Sequence, residues 1–249
     1  MRRSHLTWLT ALTLLAALTC AATANARPHK VEIGIGGTGF MNATFDGKLT
    51  DAQKTIDGPT ANTKIPVPYP GFWGLAGGGG LTLNAMYRGF VGGELDLLYS
   101  MDTAKGEINN QKIEASQGAF HIPLLAKAAV PLRWVRPFLL IGPEFVIPGS
   151  PTVKSDISIY PDKGNVSPYI NLATGFGFEF ILPAEDGLDL RIPLSFRGSF
   201  NLGVDDTVAK RVRFGESLAD GTPTIKSINT DWQYQAFIML GFSWYQHVD

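Results

Sequence analysis

Apolar and polar residues alternate strictly along residues 188–202, which read LDLRIPLSFRGSFNL. The apolar side of this run comprises Leu188, Leu190, Ile192, Leu194, Phe196, Gly198, Phe200 and Leu202. A period of two is typical of a β-strand that has one apolar face and one polar face. The run is long for a strand of a soluble protein and suits a strand that crosses a bilayer at a tilt.

The same period recurs along the chain, while patterns typical of helices are nearly absent. We predict eight strands, at 31–45, 72–86, 90–101, 115–130, 136–147, 169–182, 188–202 and 232–245. Three connections between them are short. The other four (46–71, 102–114, 148–168 and 203–231) are long and rich in Asp, Lys, Thr, Pro and Gly, as surface loops are. Short turns at one end and long loops at the other are typical of a bacterial outer-membrane barrel.

The contents of the two faces indicate which one touches lipid. The polar face consists of Gly, Ala and Ser with interspersed charges, which suits a crowded eight-stranded interior better than a solvent-facing exterior. The other face carries bulky aromatic residues, as the membrane-facing side of a barrel does. We expect an aromatic girdle made of Trp73, Tyr87, Tyr99, Trp134, Tyr169, Trp232, Trp244 and Tyr245. The alternative is a secreted soluble lipocalin-like barrel, whose apolar face points inward.

The N-terminus has the form of an export signal. Arg2 and Arg3 precede an apolar segment that is too short to span a membrane as a helix, and Ala24-Asn25-Ala26 is a small-x-small cleavage site. We expect cleavage after Ala26, which divides the chain into a signal peptide (1–26) and a barrel domain (27–249). The single cysteine leaves with the signal, so no disulfide is expected. The net charge of −1 gives no indication of nucleic-acid binding.

Residues 120–149, FHIPLLAKAAVPLRWVRPFLLIGPEFVIPG, resemble the eight-stranded outer-membrane β-barrel proteins related to OmpA and OmpX, often called porin-family barrels. The matching features are the Ile-Pro-Leu-Leu-x-Lys strand, the short turn, and Arg-Pro-Phe followed by Gly-Pro. The closing GFSWY, residues 241–245, is similar to the terminal strand that the assembly machinery recognises, although four more residues follow it. The resemblance implies an all-β, up-and-down transmembrane barrel in the bacterial outer membrane, with short periplasmic turns and four long extracellular loops.

Charged residues on the polar face predict an ionic network inside the barrel. Two similar segments, HIPLLAK from His121 and RIPLSFR from Arg191, each place two basic residues six positions apart and therefore on one face. A charge removed from water must be paired, so we expect these residues to meet carboxylates and to fill the lumen. The predicted network is Glu32, Glu94, Asp96, His121, Lys127, Glu144, Glu179, Asp189, Arg191 and Arg197. Pro123 and Pro193 are expected at bulges or gaps in the strand ladder.

These features favour a structural or surface-interaction protein, a monomer in contact with outer-membrane lipid and lipopolysaccharide. During biogenesis we expect the barrel assembly machinery and periplasmic chaperones as partners. The alternatives are passage of small solutes or hydrophobic compounds, and lipid hydrolysis with His121 as base and Ser116 or Ser195 as nucleophile. No catalytic or cofactor-binding residue is expected, because nothing local marks a nucleophile, and no metal-binding residue is expected, because the sequence has no His or Cys cluster.

Overall fold

The computed structural model describes residues 31–46, 55–57, 64–66, 71–108, 111–155, 167–184, 188–203, 212–217, 223–228 and 232–248. The predicted signal peptide and parts of the predicted long loops lie outside these residues. The strands are β1 (Val31–Asp46), β2 (Thr55–Asp57), β3 (Lys64–Pro66), β4 (Phe72–Tyr87), β5 (Val91–Ile108), β6 (Gln111–Ala129), β7 (Val135–Pro148), β8 (Thr152–Ser155), β9 (Tyr169–Pro183), β10 (Leu188–Asn201), β11 (Val212–Ser217), β12 (Pro223–Ile228) and β13 (Tyr234–Val248). Nowhere in these ranges does a helix reach the length and hydropathy needed to cross a bilayer.

The eight long strands form one closed antiparallel barrel. Their order around the barrel is β5-β4-β1-β13-β10-β9-β7-β6, and pairing of β5 with β6 closes the ring. Each long strand therefore lies next to the long strands that precede and follow it in the chain, which is the up-and-down topology. The short strands lie outside the ring: β8 pairs with β6, while β2–β3 and β11–β12 are separate two-stranded sheets. The predicted eight-stranded all-β fold is confirmed.

The strands are strongly staggered. Starting at Val31 and moving each time to the paired residue on the next strand gives Tyr87, Val91, Ala128, Leu139, Phe176, Phe196 and Ile238, and then Met41 on β1. Met41 lies ten positions beyond Val31, so the barrel has a shear of ten residues. With strands about 4.8 Å apart and a rise of about 3.3 Å per residue, this shear corresponds to a tilt of about 40°. A barrel of these dimensions has a backbone radius of about 8 Å, which side chains can fill completely.

The apolar face of the barrel points outward. Phe176, Phe178 and Phe196 are 52%, 41% and 36% exposed on the outer surface, while Glu94 is 4% exposed in the interior. The side chain of Arg197 is only 9% exposed. A soluble lipocalin-like barrel has the opposite arrangement, with its apolar side chains inside. The sequence predicted that the face rich in glycine, alanine and charged residues points inward, and the structure shows the same orientation.

Three members of the predicted girdle face the interior: Trp232, Tyr245 and the half-buried Tyr169, which has the strand parity of buried Asn171 and pairs in register with buried Val146. Trp73, Tyr87, Tyr99, Trp134 and Trp244 are exposed on the outer surface as predicted, but Trp232 and Tyr245 are 2% and 1% exposed. Consecutive strand residues face opposite sides, so Tyr245 must point inward when Trp244 points outward. Trp232 precedes the start of β13 at Tyr234, where strand alternation does not yet apply.

Most of the predicted long loop at 102–114 belongs instead to a pair of extended strands. β5 continues to Ile108 and β6 begins at Gln111, so this pair is longer than the others. β8, within the predicted loop at 148–168, adds a third strand by pairing with residues 113–116. We call the part of β5, β6 and β8 formed by residues 102–108, 111–116 and 152–155 the hairpin extension. Short strands also occur inside the other two predicted loops, at β2–β3 and β11–β12.

The two prolines lie at interruptions of the ladder, as predicted. Pairing between β5 and β6 is interrupted over residues 122 and 123, and pairing between β10 and β13 over residues 192 and 193. The register is the same on both sides of each interruption, so these are gaps without an inserted residue. Because proline has no N–H, Pro123 and Pro193 each leave one ladder position without a donor.

The filled lumen as candidate functional site

The structure places all ten residues of the predicted network inside the barrel. Alternation within each strand carries their side chains inward, and every one of them is buried or nearly so. They are not one continuous cluster. Two ionic clusters lie toward the short-turn end, and a third polar cluster, which contains His121 and Glu144, lies toward the other end.

The cluster nearest the chain termini is centred on Glu32, whose carboxylate accepts hydrogen bonds from two arginines. Arg136 Nη1 lies 2.7 Å and Arg191 Nη2 2.8 Å from Glu32 Oε2. His247 Nε2 lies 2.9 Å from Asp189 Oδ2. Arg191 Nη2 is also 3.4 Å from Asp189 Oδ2. The Arg191 guanidinium therefore links the carboxylates of Glu32 and Asp189. Strands β1, β7, β10 and β13 are thereby connected across the lumen.

The second cluster is centred on Lys127, which is buried between two carboxylates and also donates to Asn84 Oδ1 at 3.0 Å. Its Nζ lies 2.8 Å from Glu94 Oε2 and 2.6 Å from Glu179 Oε1. Arg197 is shared in the same way between Glu94 and Asp96, at 2.5 Å from each. Glu94 therefore pairs with two cations at once. A cavity of about 20 Å³ adjoins this cluster, which is room for about one water molecule.

Tyr245 connects the two ionic clusters. The Arg191 guanidinium lies 3.6 Å from the centre of its ring, a cation–π contact in a site shielded from solvent. Its hydroxyl donates to Glu179 Oε1 at 3.4 Å. The ring packs directly on Gly34, where a Cβ atom would lie 2.6 Å from Tyr245 Cζ. Glycine at position 34 is therefore what allows an inward tyrosine at this level of the barrel.

An apolar layer follows the ionic clusters toward the loop end. Phe40, Leu98, Phe237 and Met239 are buried together inside the barrel. The rings of Phe40 and Phe237 meet edge to face, with centroids 5.5 Å apart. These side chains come from β1, β5 and β13, and the Phe237 ring meets the His121 ring edge to face at a centroid distance of 5.8 Å, so the apolar residues pack directly against the outer polar cluster.

The outer polar cluster is centred on His121. Its Nδ1 lies 2.7 Å from Glu144 Oε1 and its Nε2 2.9 Å from Ser100 Oγ. Ser100 in turn donates to Asp102 Oδ1 at 2.8 Å, and Ser199 donates to Glu144. All these residues are at most 3% exposed. Position by position, Ser100, His121 and Glu144 have the contacts of a Ser-His-acid triad.

The hydrogen bonds of Ser100 argue against a nucleophile. Its hydroxyl has one proton, and with Asp102 ionised that proton is donated to the carboxylate. While the Ser100 hydroxyl donates to Asp102, its oxygen can only accept from His121 Nε2–H, so this nitrogen does not take the serine proton in this arrangement. Neither Ser116 nor Ser195, the nucleophiles considered from the sequence, is the hydroxyl that His121 contacts.

Sequence reasoning missed three charged members of these clusters. Arg136 has the same strand parity as Glu144, which the sequence analysis placed inside, so alternation along β7 could have identified it. Asp102 was assigned to a loop, although β5 continues past it. His247 lies beyond the predicted end of the last strand at residue 245, yet β13 continues to Val248. In the part of the chain that the structure describes, no group of His, Cys, Asp and Glu side chains is arranged to hold a metal ion.

A protein-family model matches most of the chain. The family model described as "Outer membrane protein beta-barrel domain" matches residues 10–193. Among solved structures, the chain is similar to Ail, the attachment invasion locus protein of Yersinia pestis, in complex with the heparin analogue sucrose octasulfate, at 12% identity and a TM-score of 0.40, covering 87% of this chain and 99% of Ail. It is also similar to OprG from Pseudomonas aeruginosa, at 12% identity and a TM-score of 0.47, covering 88% of this chain and 98% of OprG. No curated protein matches. The chain belongs to the family of outer membrane β-barrel domain proteins, whose location is the bacterial outer membrane.

Proposed function

We propose that this protein is a closed outer-membrane barrel that acts through surface interactions at its loop end and not by conducting solutes. The observation that carries the proposal is the filled lumen. Two ionic clusters, a group of packed apolar side chains and an outer polar cluster occupy the lumen, and the largest side chains in them are fully buried. The hairpin extension gives the loop end a structured surface, which loop-borne recognition requires.

Conductance in planar bilayers tests the proposal. We expect the wild-type barrel to show no discrete openings, because the apolar layer offers a hydrated ion no polar partner. A variant with Phe40→Ala and Phe237→Ala removes both rings of that layer and should open measurably more often. Discrete openings of the wild-type protein would support passage of small solutes instead and would contradict the proposal.

The trio of Ser100, His121 and Glu144 is the one observation that favours a hydrolase. We propose that it holds charge instead of catalysing a reaction, because the serine proton is already donated to Asp102 at 2.8 Å. The carboxylates of Asp102 and Glu144 then lie on either side of a protonated imidazole. This arrangement compensates buried negative charge, which otherwise carries a large desolvation cost.

The route to the membrane is part of the same proposal. We propose export through a signal peptide that is cleaved after Ala26, followed by insertion of a monomer with the help of periplasmic chaperones and the barrel assembly machinery. N-terminal sequencing of protein purified from the outer membrane should begin at Arg27. Any other first residue would show that the cleavage site is misplaced.

A further inference from the structure

A groove of about 880 Å³ crosses the outer wall over β5, β6, β7, β9 and β10. It follows a row of outward side chains that pair in register from strand to strand, namely Val91, Ala128, Leu139, Phe176 and Phe196. Four strand spacings give this row a length of about 19 Å. Because the strands are staggered, the row climbs about 3 Å per strand toward the loop end, or about 12 Å in all. The groove therefore rises obliquely from the short-turn end along the lipid-facing wall.

Small outward side chains give the groove its depth. Ala126 and Ala128 line it on β6, where the next outward residue toward the loop end is the exposed Leu124. Gly198 lines it on β10, where the next outward residue is the exposed Phe200. Wall atoms that face an empty hollow lose dispersion contacts on that side. The convex wall of a second barrel cannot reach into such a groove, whereas a single hydrocarbon chain can lie along it.

The lower end of the groove is close to two basic short turns. Arg88 precedes Val91 by three residues in the turn between β4 and β5, and Arg133 lies in the turn between β6 and β7. The Arg88 guanidinium lies 5.5 Å from the centre of the Tyr87 ring, and that of Arg133 lies 5.0 Å from the Trp134 ring. Outward Tyr and Trp side chains mark the headgroup level of a bilayer. Stacking holds each guanidinium by its face, so its edge N–H groups can still donate to a phosphate.

We infer that the groove binds an acyl chain of an anionic phospholipid of the inner leaflet, whose phosphate lies at Arg88 and Arg133. The short turns are at the periplasmic end of the barrel, so the lipid that meets both the groove and these turns belongs to the inner leaflet. Charge complementarity selects an anionic lipid, since basic side chains at a membrane surface attract anionic headgroups. The inference goes beyond the proposed function and does not depend on whether the lumen conducts.

The sequence of the third short turn indicates where along the groove the headgroup lies. Residues 183–187, between β9 and β10, include Glu185 and Asp186 and no basic residue. An anionic headgroup is therefore favoured below β5, β6 and β7, where the groove is lowest, and disfavoured below β9 and β10. The acyl chain then extends upward and across the wall, from Val91 toward Phe196.

Binding of dioleoyl phosphatidylglycerol to the folded protein in dodecyl maltoside micelles, measured by native mass spectrometry, tests the inference. Arg88→Gln with Arg133→Gln should weaken binding at least about tenfold, given the usual contribution of each basic residue at an anionic surface. Lys105→Gln with Lys112→Gln is the matched control, because it removes two exposed cations at the loop end and should leave binding unchanged. Dioleoyl phosphatidylethanolamine has the same chains without net charge and should bind about tenfold more weakly than phosphatidylglycerol.

A second pair of variants tests the groove itself. Ala126→Leu with Gly198→Leu fills it while both arginines remain, and should weaken phosphatidylglycerol binding at least about threefold, because the chain loses its contacts with the wall. Gly39→Leu with Ala43→Leu makes the same exchanges on the outward face of β1, across the barrel from the groove, and should leave binding unchanged. Gel mobility of unheated samples verifies that each variant is folded.

Several results would overturn the inference. Unchanged binding in the arginine variant or in the filled-groove variant would show that the lipid does not bind at this place. Equal losses in the test variants and their controls, or equal binding of the two phospholipids, would show that lipid is held around the whole wall without selection. A dimer mass that Ala126→Leu with Gly198→Leu abolishes would identify a second copy of the chain as the occupant instead.

Discussion

Lys127→Met is the most direct test of whether the buried ions stabilise the barrel. Methionine keeps the length and apolar stem of lysine, and the site already contains an aromatic contact, since Lys127 Nζ lies 4.5 Å from the centre of the Phe138 ring. The substitution therefore removes the charge, together with the hydrogen bond that Lys127 Nζ donates to Asn84 Oδ1, and keeps most of the packing. It removes one cation from between Glu94 and Glu179, both of which are buried in the lumen.

The magnitude follows from what remains at each carboxylate. Glu94 retains Arg197 at 2.5 Å, so it stays paired. Glu179 retains only the Tyr245 hydroxyl at 3.4 Å and Arg191 Nη1 at 3.6 Å, both longer than a good charge-assisted hydrogen bond. Breaking a buried pair from one side costs about 3 to 5 kcal/mol. Because one of the two carboxylates is still paired, we expect a loss of about 3 kcal/mol, at the lower end of that range.

Urea unfolding in phosphatidylcholine vesicles measures this loss, with the folded fraction read from the mobility of unheated samples. Lys105→Met is the matched control, because its ion pair with Glu114 is exposed and should contribute less than about 1 kcal/mol. Adding Glu179→Gln to Lys127→Met removes the poorly paired charge and should recover part of the loss, a non-additivity expected of contacting residues. If Lys127→Met and Lys105→Met unfold at the same urea concentration, the buried pairs do not stabilise the barrel as argued.

Two further predictions address single contacts. Gly34→Ala places a Cβ against the buried Tyr245 ring and should destabilise the barrel by about 1 to 3 kcal/mol. Gly37→Ala is the control, because its Cβ would lie 3.6 Å from the Phe242 ring on the outer wall, and it should be nearly neutral in the same urea assay. If the two variants lose equal stability, the close contact between position 34 and Tyr245 is not the cause of the loss. A fluorophosphonate probe should not label the wild-type protein, because the Ser100 proton is engaged by Asp102. Labelling that disappears in Ser100→Ala would identify Ser100 as an active nucleophile.

The inward face of each strand could be predicted from the sequence, because alternation and composition can be read from neighbouring residues alone. Along β10, every residue assigned to the polar side from the sequence points inward. The strand ends could not be predicted as well. The apolar signal of β5 ends at Met101, but the strand continues to Ile108 because pairing with β6 stabilises a hairpin without needing a lipid-facing residue.

The pairing of individual charges could not be predicted, because it depends on the register of the closed barrel. Arg136 and Glu32 are separated by 104 residues, and Arg191 and Glu32 by 159. No spacing within one strand indicates such a contact. Even the correct set of interior residues leaves many possible pairings, and only the path of the ladder around the barrel brings these side chains to the same level.

Because the pairing of the buried charges depends on the register of the strands, the ion pairs have a role that the apolar outer wall cannot have. Shifting a strand by two residues keeps every side chain on its own face, so alternation alone does not distinguish the observed shear of ten from neighbouring even values. The same shift moves an interior charge by about 6.6 Å along its strand. Lys127 would then lose Glu94 and Glu179, which are now 2.8 and 2.6 Å away, and would leave buried charges unpaired. The apolar face thus selects a barrel, and the buried ion pairs select one register of it.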